Sequence, residues 1–513
     1  MALFVHNTRT RKKEAFVPAQ PKVVRIYSCG LTVYAPMHIG HARTYCFWDF
    51  FRRYLEYRGY HVVSVINYTD VDDRIIDRSG TRGCLDLAEE MIARFRMDCR
   101  DLHLKDYAVY TRATDFVAEQ VDMIKALVDR GHAYIVEGEV FYDVTSFENY
   151  GALSGRSLED QEVGASGRVG EDVTRKRNPA DFTLWKPPVE GQPCWETGQA
   201  AWPSGRPGWH IECSAMSTTL LGNHFDVHGG AIDNMFPHHE NEIAQSEPLC
   251  GHPWVRYWLH PEHLDLRGEK MSKSLGNVVG VPELLGEHSY DVVRWFFASH
   301  HYRKKLAYSS ELIGASAAGY ERILRMLRSL GERLSGCDLP PSAESTRYPS
   351  EAGQGALVPR WRYKYEMGRF GQHTRLFIDR FVEALDDDLN TPEAVAALFD
   401  YVAQLYQDGI DGEQAVEHLL PVYRALAHHL HVLGVEEADP TLFPELVADY
   451  AVPPPKGLTD RGADRAVERL IALRGEARKA KDFDKADALR DLMQEAGIVV
   501  EDQGGGQARW HVT

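Results

Sequence analysis

Hydrophobic and polar positions follow two rhythms along the chain. Val24 to Tyr27 form a β-branched and aromatic run that reads as a buried strand, and Gly40 and His41 lead into an apolar-periodic helix over Ala42 to Tyr57. Residues 59–69, GYHVVSVINYT, repeat the strand signal and end at Thr69 and Asp70. Helical spacing then predicts segments from about Leu85 to Leu102 and from about Thr114 to Arg130, the second stopping near Gly131. From Ala133 to about Gly208 the pattern breaks into short strands, glycines and charged loops, such as GEVFYDV and NPADFTLWKPP. It resumes at Trp209. HIECSAMSTTLL is helical and stops at a C′ glycine, Gly222. NHFDVH is a strand ending at His228-Gly229-Gly230, HHENEIAQSEPL is a helix with Pro237 near its first position, and WVRYWLH is a strand ending at His260.

Strands alternating with helices argue for an α/β fold with a doubly wound parallel sheet of Rossmann type, split by an insertion. The expected strand ends, Cys29, Thr69, His228 and His260, then face one crevice, where open parallel sheets bind ligands. Beyond about Asp291 the pattern is nearly all helical, including 318–335, and predicts an α-helical bundle followed by a small C-terminal domain. Residues 336–360, rich in Ser, Pro, Gly and Glu, read as a flexible excursion. Thr391-Pro392 reads as a capping hydroxyl with proline at the first helical position, and AVPPPKG as a linker. The expected division is 1–132 and 209–290 for the halves of the sheet, 133–208 for the insertion, 291–370 and 371–450 for the helical parts, and 451–513 for the last unit.

Composition narrows this picture. A chain of 513 residues that is 44% hydrophobic supports several domains. The start, MALFVHNTRTRKKE, turns charged too soon for a secretory signal, and no apolar run is long enough to span a bilayer. Eight scattered cysteines suggest no disulfide framework, so a reducing cytoplasm is the expected setting, with no membrane partner. The net charge of −17 argues globally against nucleic-acid binding, so any such partner needs local basic surfaces.

Three groups of residues carry candidate chemistry. His38 and His41 bracket Gly40 at a helix start, where imidazoles and the helix N-terminus can meet phosphate oxygens. Lys270 and Lys273, in Lys-Met-Ser-Lys-Ser, suit a loop folding over a polyphosphate. Cys29, Cys213, His238 and Glu242 form a third group. His238 and Glu242 are four apart and share a helix face, so with two thiolates they would complete a tetrahedral zinc site; on periodicity alone, His239 and Glu240 could equally be the ligands.

The two phosphate motifs together resemble the HIGH and KMSKS signatures of class I aminoacyl-tRNA synthetases. The strings CGLTVY, NYTDVDDRII, KRNPADFTLWK, GRPGWHIECSAM, GNHFDVHGG and FPHHENEIAQS look like cysteinyl-tRNA synthetases throughout. That resemblance implies one Zn²⁺ per chain on Cys29, Cys213, His238 and Glu242. It places Thr69, Trp209 and His228, with Cys29 and Gly30, around bound L-cysteine. It implies ATP with Mg²⁺ at His38, Gly40, His41, Lys270 and Lys273. Asp233 would bind ribose or the amino group, or serve as a turn residue. The helical parts and the last unit would bind tRNA(Cys), with Arg478, Phe483 and Asp487 at the anticodon, and the enzyme is expected to be a monomer. Departures are Leu31 where the family commonly has proline, HPEHLDL at 260–266, and expanded loops near 196–205 and 336–360. A ligase passing cysteine to a small amine is the near rival, and residues 450–513 speak for tRNA. A non-catalytic RNA-binding derivative is the other rival, and retention of both histidines, both signature lysines and all four zinc ligands speaks against it.

Overall fold

The computed structural model describes residues 2–80, 82–156, 175–266, 269–270, 279–335, 337 and 368–435, together with parts of 470–512. Its central sheet contains β1 (Val23–Ser28), β2 (His61–Tyr68), β3 (Val109–Arg112), β4 (Phe225–Gly229) and β5 (Val255–Leu259), in the order β5-β4-β1-β2-β3. Every pairing is parallel. Helices cover both faces of such a sheet, which is why β1 reads as an unbroken apolar run: Val23, Val24, Ile26 and Tyr27 are all buried. The strand order reverses between β1 and β4, and a crevice opens there at the carboxyl ends. The backbone N–H of Cys29 donates to the Gly229 carbonyl at 2.9 Å, so the two strands stay paired to the edge of that crevice.

Three helices frame it: α1 (Ile39–Tyr57), α2 (Trp209–Leu221) and α3 (Glu240–Cys250). Residues between Ala133 and Pro207 form a separate antiparallel sheet of five strands, the insertion that splits the parallel one. Helices Ser310–Leu334, Gly371–Asp386, Thr391–Gln407 and Val416–Val432 pack as the bundle.

Several local expectations shift. Helix Ser310–Leu334 begins a full two turns before 318, with the Ser309 hydroxyl accepting from Leu312 N at 3.3 Å. Its first turns, rich in Gly, Ala and Ser, carry too little apolar contrast to show a period. Asn390, not Thr391, is the cap residue of the helix containing Pro392. Pro237 lies in a π-helical turn, Met235–His239, ahead of α3, and not at the first position of an α-helix. The 336–360 excursion lies outside the described residues apart from Cys337.

Helix α1 is buried on nearly every side because the sheet covers one face and the bundle the other. Its polar residues are buried with it and pair among themselves. Asp49 meets Arg53 at 2.7 Å, Arg52 at 3.3 Å and also Arg294. Burial opposes the Asp49 charge, but Arg53, Arg294 and Arg52 outweigh it and hold the carboxyl well below the usual range. Tyr54 and Arg58 bond to Asp386, and the Tyr57 hydroxyl lies 3.1 Å from His429 Nε2, so the bundle is docked by polar contacts as well as apolar ones. Removing Asp49 takes away the carboxylate that three buried guanidinium groups share. Asp49→Ala should cost about 3–5 kcal/mol, read as a lower denaturant midpoint, whereas breaking the exposed Lys125–Asp129 pair should cost under about 1 kcal/mol.

Candidate metal and nucleotide site

Five segments converge at the crevice. Cys29 follows β1, Cys213 lies in α2, His228 in β4, His238 and His239 in the π-turn, and Glu242 in the first turn of α3. All six side chains are buried. His238 Nε2 is 2.9 Å from Glu242 Oε1, as four-residue spacing predicts, and His228 Nε2 is 2.7 Å from Glu242 Oε2. Two sets place their ligand atoms within 4.8 Å of one another: Cys29, Cys213, His238 and Glu242, and Cys29, His228, His239 and Glu242.

The alternative left open by periodicity is now half settled. Glu240 points away from the cluster and accepts from the backbone N–H groups of Gly151 at 3.0 Å and Ser154 at 2.8 Å, with Leu153 at 3.4 Å. It is a clamp on the insertion. His239 does enter the cluster, with Nε2 3.2 Å from Cys29 Sγ. Its Nδ1 is 2.7 Å from His260 Nε2, and His260 Nδ1 is 2.8 Å from the Thr8 hydroxyl. Thr8 comes from an N-terminal hairpin, Phe4–Asn7 with Lys12–Ala15, that docks on β5 through Thr8 N to Trp258 O at 2.9 Å. Nothing in the sequence pattern pointed to this hairpin. The stacked Trp209 ring, 4.2 Å from that of His238, closes the other side.

The electrostatics follow from burial and proximity. Burial raises the Glu242 pKa, but His228 and His238 overcome this and bring it down to about 2. Burial lowers the His238 pKa, yet Glu242 and Cys213 raise it to about 9. Burial and the Cys213 hydrogen bond push the Cys29 thiol well up, while that bond and the His238 charge carry Cys213 down to about 6 against its own burial. Sulfur, nitrogen and carboxylate oxygen crowded in a dry site form a donor set suited to zinc.

The nucleotide side lies at the start of α1. His38 is the N-cap, its Nδ1 accepting from Gly40 N at 3.1 Å and His41 N at 3.4 Å. His41 Nδ1 accepts from His38 N at 3.3 Å, and the two rings stack 3.6 Å apart. With both Nδ1 atoms accepting, each neutral ring carries its proton on Nε2, as a donor. Met37 and Ile39 exchange backbone bonds with Val281 and Val279, so the chain leaving the Lys-Met-Ser-Lys-Ser segment runs beside this turn. The chain leading into that segment is the hairpin of Leu264–Leu266 with Glu269–Lys270. The backbone of Lys270 is thus placed, while Lys273 lies outside the described residues.

The remaining predicted residues fall as follows. A Cβ on Gly30 would sit 1.6 Å from the Asn67 carbonyl oxygen, so close approach to β2 accounts for this glycine. Thr69 donates to Glu212 Oε2 at 2.7 Å, a buried carboxyl that sequence reasoning missed. Asp233, in the short turn Ile232–Asn234, is half exposed and 3.0 Å from His263 Nε2. Arg478, Phe483 and Asp487 are exposed in the C-terminal helical segment, with Asp487 paired to Arg490 at 2.9 Å.

Comparison with known proteins fixes the class. Residues 15–318 match the family described as tRNA synthetases class I (C) catalytic domain, 380–435 the DALR domain, and 460–508 the cysteinyl-tRNA ligase anticodon binding domain. The fold is shared with Mycobacterium tuberculosis methionyl-tRNA synthetase in complex with methionyl-adenylate (TM-score 0.54, 16% identity, 91% of this chain and 96% of that one). It is shared too with the Agrobacterium radiobacter K84 agnB2 LeuRS–tRNA–LeuAMS complex (TM-score 0.58, 13% identity, 88% and 87%). The parallel sheet with its insertion and helical bundle is that of a class I aminoacyl-tRNA synthetase. Among curated relatives, the cysteine–tRNA ligase of Symbiobacterium thermophilum is 43% identical over 99% of both chains. That of Desulforamulus reducens is 41% identical, again over 99% of both. The chain belongs to the cysteine–tRNA ligase family. Among the described residues, no helix is long and apolar enough to cross a membrane.

The Glu240 clamp gives a test of the local architecture. Glu240→Ala leaves the buried N–H groups of Gly151 and Leu153 without their acceptor, so stability should fall by about 2–3 kcal/mol. Limited proteolysis between 151 and 156 should accelerate.

Proposed function

We propose that the chain activates L-cysteine with ATP to cysteinyl-adenylate and transfers it to the 3′ end of tRNA(Cys), selecting the substrate thiolate with one zinc ion held by Cys29, Cys213, His238 and Glu242. The observation that carries this reading is the buried convergence of those four side chains at the carboxyl end of β1. A zinc ion held by these four residues would favour a substrate sulfur as thiolate near neutral pH over the harder, far less acidic hydroxyl of serine, and no hydrolytic sieve would then be needed. Mg²⁺ enters with ATP and requires no dedicated protein cage.

The chain's own residues supply the rest. The Nε2–H groups of His38 and His41 present donors to the phosphates, the dipole of α1 favours the same negative charge, and Lys270 and Lys273 add mobile positive charge from the loop. An oxygen of the cysteine carboxylate attacks the α-phosphorus and pyrophosphate leaves; the carboxylate is already anionic, so no general base is required. A terminal ribose hydroxyl of the tRNA then attacks the activated carbonyl and displaces AMP. His228 and Trp209 wall the amino acid, and Asp233 stands at the exposed margin, suited to ribose. The match of residues 460–508 to an anticodon-binding family supports tRNA over a small amine as acceptor. There, exposed Phe483 suits stacking on a base, and Arg478 supplies local positive charge in a chain of net charge −17.

Cysteine-dependent ATP–pyrophosphate exchange tests the whole reading. The purified enzyme should carry about one zinc per chain, exchange with cysteine and not with serine, and lose exchange on chelation. Glu242→Gln, which removes a direct ligand, should weaken zinc binding by more than the roughly 10-fold minimum typical of outer-shell changes, while His239→Ala retains the metal. Exchange that survives both metal stripping and Cys29→Ala would refute the zinc assignment. Arg478→Ala should reduce tRNA charging far more than exchange.

A further inference from the structure

Glu212 is a carboxyl with no structural duty to match its burial. It lies in the first turn of α2 at 0% exposure, one residue before Cys213. Its single hydrogen bond is to the Thr69 hydroxyl at 2.7 Å, and Oε1 has no partner among the described residues. A fully buried carboxyl with one bond weakens a fold, and buried polar groups of that kind call for another explanation.

The bond has a definite direction. Asn67 Oδ1 accepts from the Gly30 backbone N–H at 2.9 Å, which fixes the amide's orientation and turns Nδ2 toward Thr69 Oγ1 at 3.4 Å. An amide nitrogen can only donate, so it occupies one lone pair of the hydroxyl. The hydroxyl hydrogen then goes to Glu212 Oε2. That oxygen accepts it in the ionised acid and equally in the neutral acid whose proton sits on Oε1. A hydroxyl has one hydrogen and two lone pairs. With the hydrogen and one lone pair engaged, Thr69 has a single acceptor position left.

We infer that Glu212 is a positioning residue that commits the Thr69 hydroxyl to accepting a hydrogen bond from the α-ammonium of the amino-acid substrate. Cysteine held as a thiolate has only one donor group, its ammonium; its carboxylate and sulfur can only accept. A hydroxyl free to rotate would serve either kind of partner, and Glu212 removes that freedom. The inference rests on the reading that Thr69 borders the bound amino acid.

The test uses the intact zinc-loaded enzyme, cysteine-dependent exchange, and 3-mercaptopropionate, which keeps the thiol and carboxylate of cysteine and lacks the ammonium, as inhibitor. Wild-type exchange establishes the activity first, independently of this inference. Thr69→Val and Glu212→Leu should each raise the cysteine KM by about 10- to 100-fold, with zinc content, the KM for ATP and the inhibition constant of 3-mercaptopropionate nearly unchanged. Glu212→Gln, which still offers an oxygen to Thr69, and Thr69→Ser, which keeps the hydroxyl, should restore most of the affinity. Thr69→Val with Glu212→Leu should be no worse than Thr69→Val alone. Parallel weakening of 3-mercaptopropionate and cysteine would overturn the inference, as would additive losses in the double variant or an unchanged cysteine KM in Thr69→Val. Should Glu212→Leu fail to fold, Thr69→Val, Thr69→Ser and Glu212→Gln still decide it.

Discussion

The structure depends on keeping two sulfurs, a carboxylate and several imidazoles together without water. Each of these groups is costly to bury alone, and hydrogen bonding and proximity to opposite charge are the remedies the interior offers. That demand dictates how closely the elements approach. The backbones of β1 and β4 remain paired to Cys29 and Gly229, and a Cβ on Gly229 would lie 1.9 Å from the Leu259 carbonyl oxygen. The rings of Trp258 and His228 stack 4.7 Å apart and line the far side. A site so assembled is rigid before substrate arrives, which is what discrimination between two substrates differing by one atom requires.

Much of this was legible because parallel strands covered on both faces write themselves as apolar runs. The ends at Cys29, Thr69 and His260 were placed by turn residues that follow such runs. Three things were hidden. Helices α2 and α3 are buried around their whole circumference near the cluster, from His210 to Ser217 and from Glu240 to Glu247. A helix without a solvent face has no period from which to choose between neighbours such as His238 and His239 or Glu240 and Glu242. Glu212, adjacent to Cys213, was invisible for the same reason. The N-terminal hairpin was missed because its link to His260 runs between residues some 250 positions apart, and no local pattern encodes such a contact.

The capping of α1 resolves an apparent conflict between the acidic character of the chain and its anionic substrate. Phosphate recognition that relied on fixed cations would need a strongly basic crevice. Here the start of α1 offers the positive end of its helix dipole and two imidazoles whose Nδ1 lone pairs are already committed to the backbone. Adding a proton at either Nδ1 would remove an acceptor that closes the helix, so the cap and the donor role of Nε2 support one another. On the proposed reading, fixed positive charge is then needed only from the Lys-Met-Ser-Lys-Ser segment.

Helix α1 also joins this site to the rest of the molecule. One turn beyond the cap, Arg43 donates to the carbonyls of Glu262 at 2.8 Å, His263 and Lys304. Those carbonyls flank the strands Leu264–Leu266 and Leu306–Tyr308, which pair with each other, the first also with Glu269–Lys270. A guanidinium fork suits this because it presents several donors in a fixed plane. Further along, Asp49, Tyr54 and Arg58 tie the same helix to Arg294 and Asp386. The histidine turn, the base of the lysine hairpin and the helical bundle are therefore all anchored on one helix.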